Sequence, residues 1–198
     1  MAGSQTRTRK RRPTRATGWR AWLTTDRIFI LGAVGLTAIF LLVVILNGAA
    51  NQPPTVNLAA VPDTSTEYPI QSRDHIDVGS THPPYNSNPP TGGWHYANPA
   101  NIGFYTSQLA DEQLVHNLEH GQIWISYRDA NDQEAIDALR QVQASQPGAV
   151  IVTYRPEDPA RIAVASWGRL LLLDQPDTDQ INAYIARYKN HSPEPLAS

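Results

Sequence analysis

The chain has 198 residues, six histidines, Met1 as its one methionine and no cysteine, with a formal net charge of −2. Without thiols, disulfides, thiolate zinc sites, iron–sulfur ligation and c-type haem attachment are excluded, so any metal must accept nitrogen and oxygen donors. The charge is split: residues 1–27 carry eight Lys and Arg against Asp26 alone, whereas the remainder carries eight against seventeen acids.

Residues 1–27 read as a basic arm. Residues 28–46 follow without a charge and with Thr37 as the one polar side chain. As a helix they would extend about 28 Å, the hydrocarbon thickness of a bilayer. Trp19 and Trp22 stand where an interfacial aromatic belt falls, and the arginines ahead place the arm in the cytoplasm. The expectation is a single-pass membrane protein, N-terminus in, with everything after residue 46 extracytoplasmic. Gly48-Ala49-Ala50 would also suit signal cleavage, but the apolar run and its leader are longer than a signal peptide needs. A basic run next to a span is explained by topology and anionic lipid, so nucleic acid is not an expected partner. The expected partners are the lipid bilayer and an envelope protein.

Residues 47–74, rich in Pro, Asn, Thr and Ala, read as a flexible stalk. Residues 75–190 form the expected globular domain, and 191–198 a tail. The domain opens with five prolines and three glycines between His75 and Asn101, which rules out a helix or a central strand. Tyr85, Trp94, His95 and Tyr96 are interleaved with these turn residues, so an ordered loop packed on a core is expected.

Leu114–His120 reads as a short helix with Gly121 supplying the left-handed residue after its end. Ile123–Arg128 alternates as a strand does. Asn131 would cap a helix through Ala144, with Glu134 completing a capping box and Pro147-Gly148 ending it. Val150–Tyr154 reads as a strand. Ile162–Trp167 and Leu170–Leu173 read as a hairpin turning at Gly168-Arg169, and Thr178 as the cap of a last helix. The fold class is therefore α+β: a small mixed sheet with two helices on one face and an N-terminal Pro-rich ordered loop, behind a single transmembrane helix.

The chemistry-bearing residues are the histidines. His116 and His120, four apart, can share one ion only if their segment is helical: about 6 Å separates their Cβ atoms in a helix, against about 13 Å in a strand. His75 and His95 lie in the preceding loop, and the stiff Pro89–Gly93 turn could deliver His95 to a fixed place. His75, His95, His116 and His120 form the candidate metal set, with Glu119, Tyr85 and Tyr105 around it. Imidazoles with a nearby carboxylate suit Zn²⁺ or Cu²⁺, and the lack of sulfur disfavours Cu⁺. Two other readings stay open. The imidazoles could only brace the loop by bonding its backbone, leaving an envelope interaction domain. Alternatively, His116, Glu119 and His120 match H-x-x-E-H, the signature of a metal-dependent hydrolase with Glu119 as general base. A binding module is favoured over an enzyme, because a third ligand on a separate helix is missing. His82 and His191 are set aside, and Trp124 and Trp167 read as core residues.

The Pro89-Pro90-x-Gly92-Gly93-x-His95 block, followed by Val115-His116-x-Leu118-Glu119-His120-Gly121, resembles the bacterial domain of unknown function family 3105. With Tyr85, Gly103, Tyr105, Trp124, Tyr127 and Ser166-Trp167-Gly168, the resemblance runs from His75 to Tyr188. It implies membrane anchoring outside the cytoplasm and places His95, His116, Glu119 and His120 in the pattern. It implies no activity. Many members carry a cysteine near Gly103, and this chain does not, so a thiolate mechanism is not carried over.

Overall fold

The computed structural model describes residues 25–50 and 55–196; within the first helix, side chains are described at 30 and 33–45. The chain divides into two units, residues 1–49 and 50–198. The first holds helix α1, Thr25–Ala50. Its described apolar side chains are exposed, Ile39 and Phe40 among them. Thr37 donates to the carbonyl of Ala33 at 2.8 Å, which satisfies its hydroxyl within the helix. Among the described residues no helix is long and apolar enough to cross a membrane. The span expected over 28–46 lies partly outside the described side chains, and the basic arm up to residue 24 lies wholly outside them.

In the second unit the strands β1 (Thr66–Glu67), β4 (Ile123–Tyr127), β5 (Val150–Tyr154), β6 (Ile162–Ser166) and β7 (Arg169–Leu173) form one sheet in the order β1-β7-β6-β4-β5. A separate pair joins β2 (His75–Ile76) to β3 (His95–Tyr96) in parallel. Strands β4 and β5 are parallel, and helix α3 (Gln133–Ser145) makes the crossover that parallel neighbours require. The other pairings of the sheet are antiparallel. The mixed sheet and the α+β class agree with the sequence.

Strand alternation divides the core in two. Ile123, Ile125 and Val164 face α3 and α4 (Thr178–Tyr188), the two helices expected on one face. Trp124, Ile151, Ala163 and Ala165 face the other way, beneath Leu114 and Leu118 of α2 (Asp111–Glu119). Trp124 lies opposite Ala165 in the ladder, and the small side chain leaves room for the indole. The indole N–H donates to Thr153 Oγ1 at 2.8 Å, as a buried tryptophan requires. Both sheet faces are thus covered, the second by α2 and the Pro-rich segment, and every residue of β4 is buried.

Three local expectations are corrected. Asp132, not Asn131, caps α3 by accepting from Ala135 N, and Glu134 pairs with Arg161 instead of closing a capping box. Asp177, not Thr178, caps α4 by accepting from Asp179 and Gln180 N. In both cases a carboxylate stands at the positive helix end, where its charge is favoured over the neighbouring amide or hydroxyl. The hairpin turns at Trp167-Gly168, and Arg169 already belongs to β7. Gly168 takes the left-handed conformation there, with φ +73°.

The segment 47–74, expected as a stalk, behaves differently over its described part. Thr66 and Glu67 pair with Leu170 and Arg169 as an edge strand, and Tyr68 packs on the second core. Arg187 donates to the carbonyls of Leu58 and Val61, and Tyr188 donates its hydroxyl to Asp63. Burial alone would raise the Asp63 carboxyl, but hydrogen bonds from Tyr188 and Ser65 and the charge of Arg169 bring it to about 2. A two-residue edge strand has no period to reveal it, so composition alone reads the segment as linker.

Candidate metal centre

Three backbone arrangements carry the histidines to one place. The parallel pairing of β2 with β3 sets His75 directly beside His95, and neighbours in a parallel ladder point to the same face. Helix α2 supplies His116 in its last turn, and His120 follows as its C-cap residue. The segment is helical, as a shared site requires.

Helix α2 is fixed at both ends and in the middle. At its start Arg155 grips Asp111 with two parallel bonds of 3.0 and 2.8 Å, a bidentate geometry that holds direction as well as distance. In the middle Asn117 exchanges two 2.9 Å bonds with the backbone of Ala100, tying the Pro-rich segment to the helix. At its end Gly121 has φ +78° and donates to Leu118 O.

The ring contacts are close. His75 stacks on His116 with centroids 5.0 Å apart and planes 6° from parallel. His95 stands edge-on to both, at 4.8 Å from His75 and 5.2 Å from His116. One ring nitrogen from each of His75, His95 and His116 lies within 4.8 Å of the others. His120 adjoins this trio through His116, with the two Nε2 atoms 2.8 Å apart.

Hydrogen bonding fixes the tautomers, because a carbonyl can only accept. His95 Nδ1 donates to Gly93 O at 2.7 Å, His116 Nδ1 to Tyr96 O at 2.6 Å, and His120 Nδ1 to Glu194 O at 3.1 Å. In the neutral imidazoles the Nε2 atoms therefore present bare lone pairs. Those of His116 and His120 face each other, and that of His95 faces Glu119 Oε2 at 2.9 Å. Contacts this short between lone pairs require a shared proton, whereas an ion bound to both donors would hold them further apart. Burial lowers the pKa of His116, and the neighbouring His120, His95 and His75 lower it further, against the bond to Tyr96. A proton is thus held poorly at this ring.

Glu119 is buried, with Oε1 3.3 Å from Arg73 Nε and Oε2 3.8 Å from His75 Nε2. It sits beside the cluster. Tyr85 touches it indirectly, donating to the carbonyl of Trp94, the residue before His95. Tyr105 donates to Asn101 O and packs in the second core, away from the rings. His82 bonds Glu112 and stacks on Tyr85, outside the trio. Arg73 was not singled out from the sequence, although extended residues two apart share a side and it precedes His75 by two. Glu194 was missed as well. No sequence signal marks a carbonyl 74 residues away as a partner of His120.

Fold and site together define an α+β domain in which three imidazoles converge beside a buried carboxylate. Residues 78–198 match the family described as protein of unknown function, DUF3105, and the chain belongs to that family. His75 and Arg73 lie just outside the matched span, so the resemblance holds without its first residue. No curated protein and no solved structure matches the chain.

Proposed function

We propose that this domain binds a divalent transition metal through His75, His95 and His116, with His120 and Glu119 alongside. The observation that carries the reading is that one ring nitrogen from each of the three lies within 4.8 Å of the others, with Nδ1 of His95 and of His116 bonded to carbonyls. Metal-binding histidines are usually oriented this way, by a bond from the far ring nitrogen. Three nitrogen donors without sulfur suit Zn²⁺ or Cu²⁺. The charge-free run 28–46 and the arginines ahead of it support an N-in membrane anchor, with the domain outside the cytoplasm.

A second reading keeps the same bonds and omits the metal: His95 and His116 brace the Pro-rich segment, and the domain contacts an envelope protein. The hydrolase reading lacks such support. Both Glu119 oxygens are engaged, by Arg73 and His95, whereas a general base needs an oxygen free for substrate. Elemental analysis of protein purified without a metal column separates the first two readings. About one ion per chain is expected in the wild type after reloading with Zn²⁺ and dialysis. His75 is half exposed, so His75→Ala should keep the fold and still lose most of the bound ion. Less than about a tenth of an ion per wild-type chain leaves the bracing role alone.

A further inference from the structure

The trio is graded from inside to outside. His95 and His116 are buried at 0% and 4% exposure, whereas the His75 side chain is 51% exposed and that of Arg73 is 54% exposed. The two buried rings and Glu119 form a floor. The mouth is His75 with Arg73, whose guanidinium is one carboxylate away from the rings. Tetrahedral nitrogen ligands at the zinc distance sit about 3.3 Å from one another, so modest ring rotations would gather three atoms now within 4.8 Å. All three ligands then approach from the protein side or from the rim.

Charge points the same way. Three neutral imidazoles leave the two positive charges of the ion untouched. Glu119 offsets one, and Arg73 is offset by Glu194, 3.9 Å from its Nη2. One positive charge remains uncompensated at a partly dry centre, where an anion is attracted far more than in bulk water.

We infer that the ion keeps one coordination position on the solvent side, between His75 and Arg73, and that this position takes a small anion such as a carboxylate or a simple inorganic ion. The inference rests on the three-histidine reading above. It makes the centre a receptor for an exogenous ligand, in contrast to a closed structural site in which protein atoms fill every position. Arg73 is the positioning residue: it adds charge at the mouth without touching the ion.

Cobalt(II) reports both levels separately, because its visible bands respond to changes in the ligand set. The full chain in detergent, stripped with chelator and loaded with Co²⁺, is titrated with sodium azide. Uptake of Co²⁺ followed by a saturable change in the bands on azide addition is the expected result. Arg73→Gln should take up Co²⁺ to the same stoichiometry and bind azide roughly threefold to tenfold more weakly, as the loss of one partly screened charge implies. Co²⁺ bands that stay unchanged under azide would overturn this inference and leave the metal site standing. Bands in Arg73→Gln that respond at the same azide concentration as the wild type would remove Arg73 from it. Failure of the wild type to take up Co²⁺ would overturn the metal site and the inference together.

Discussion

His116 is where burial and proton binding pull hardest against each other. Its ring is buried, three other imidazoles surround it, and the Tyr96 carbonyl fixes its Nδ1 proton. Its pKa in the folded domain therefore lies below the ordinary 6.5, whereas the unfolded chain keeps the ordinary value. Between those two values the unfolded state binds more protons, so stability must rise with pH across that window. For the metal-free domain, the contribution is complete above about pH 6.5 and is lost as acid protonates the unfolded chain first. The urea midpoint should fall from pH 7.5 to pH 5.5, and should fall less in His116→Gln, which cannot take the extra proton. A wild type that loses no more than the variant would mean the ring is charged without cost. The pairing of His116 with His120 was legible in the sequence because a spacing of four has one geometric meaning on a helix. The role of Arg73 was not, because a lone arginine before a histidine carries no period.

Helix α2 transmits its own geometry to the site, since it carries His116 and the carboxylate, with His120 at its C-cap. Its end is set by Gly121, where an added Cβ would sit 2.7 Å from both the Cα and the Oδ1 of Asn190. The backbone of Asn190 cannot yield as a flexible side chain would, and φ is +78°. Gly121→Ala should therefore cost at least the 1–3 kcal/mol typical of a strained left-handed residue, read as a lower thermal midpoint. An unchanged midpoint would show that the helix can end another way. The same scale explains what the sequence disclosed. Helices α3 and α4 and strands β4 to β7 bury stripes with a clear period, and their existence and order were legible. Strands β1, β2 and β3 are two residues each, too short to display alternation, and are fixed by their partners. The caps at Asp132 and Asp177 were displaced by one residue because several neighbours could cap, and tertiary contacts such as Arg161 with Asp132 and Glu134 decide between them.

Across the whole domain the site joins segments far apart in sequence, and its last side is closed by the C-terminal stretch. Glu194 N donates to Glu119 O, and Leu196 N to His120 O, which satisfies carbonyls left free where α2 ends. In return the Glu194 carbonyl accepts from His120 Nδ1. That bond has a consequence for the metal. While His120 Nδ1 holds the proton, its Nε2 cannot donate, and the His116 lone pair stays available to an ion. Once the carbonyl is removed, the proton can move to Nε2, 2.8 Å from His116 Nε2, and the two rings can form an ordinary N–H···N bond. The ion must then compete for that lone pair. Stopping the chain after Asn190 should weaken Zn²⁺ affinity by roughly tenfold to a hundredfold, the usual effect of losing a partner that orients a ligand. Competition against a chromophoric chelator measures it. Strands β4 to β7 and helices α3 and α4 do not include the stretch, so circular dichroism should retain the folded spectrum. In a His120→Ala background the same truncation should change affinity little, because the ring that would compete is gone. Equal weakening in both backgrounds would mean that the C-terminal stretch acts through Glu119 or general stability, and not through the tautomer of His120.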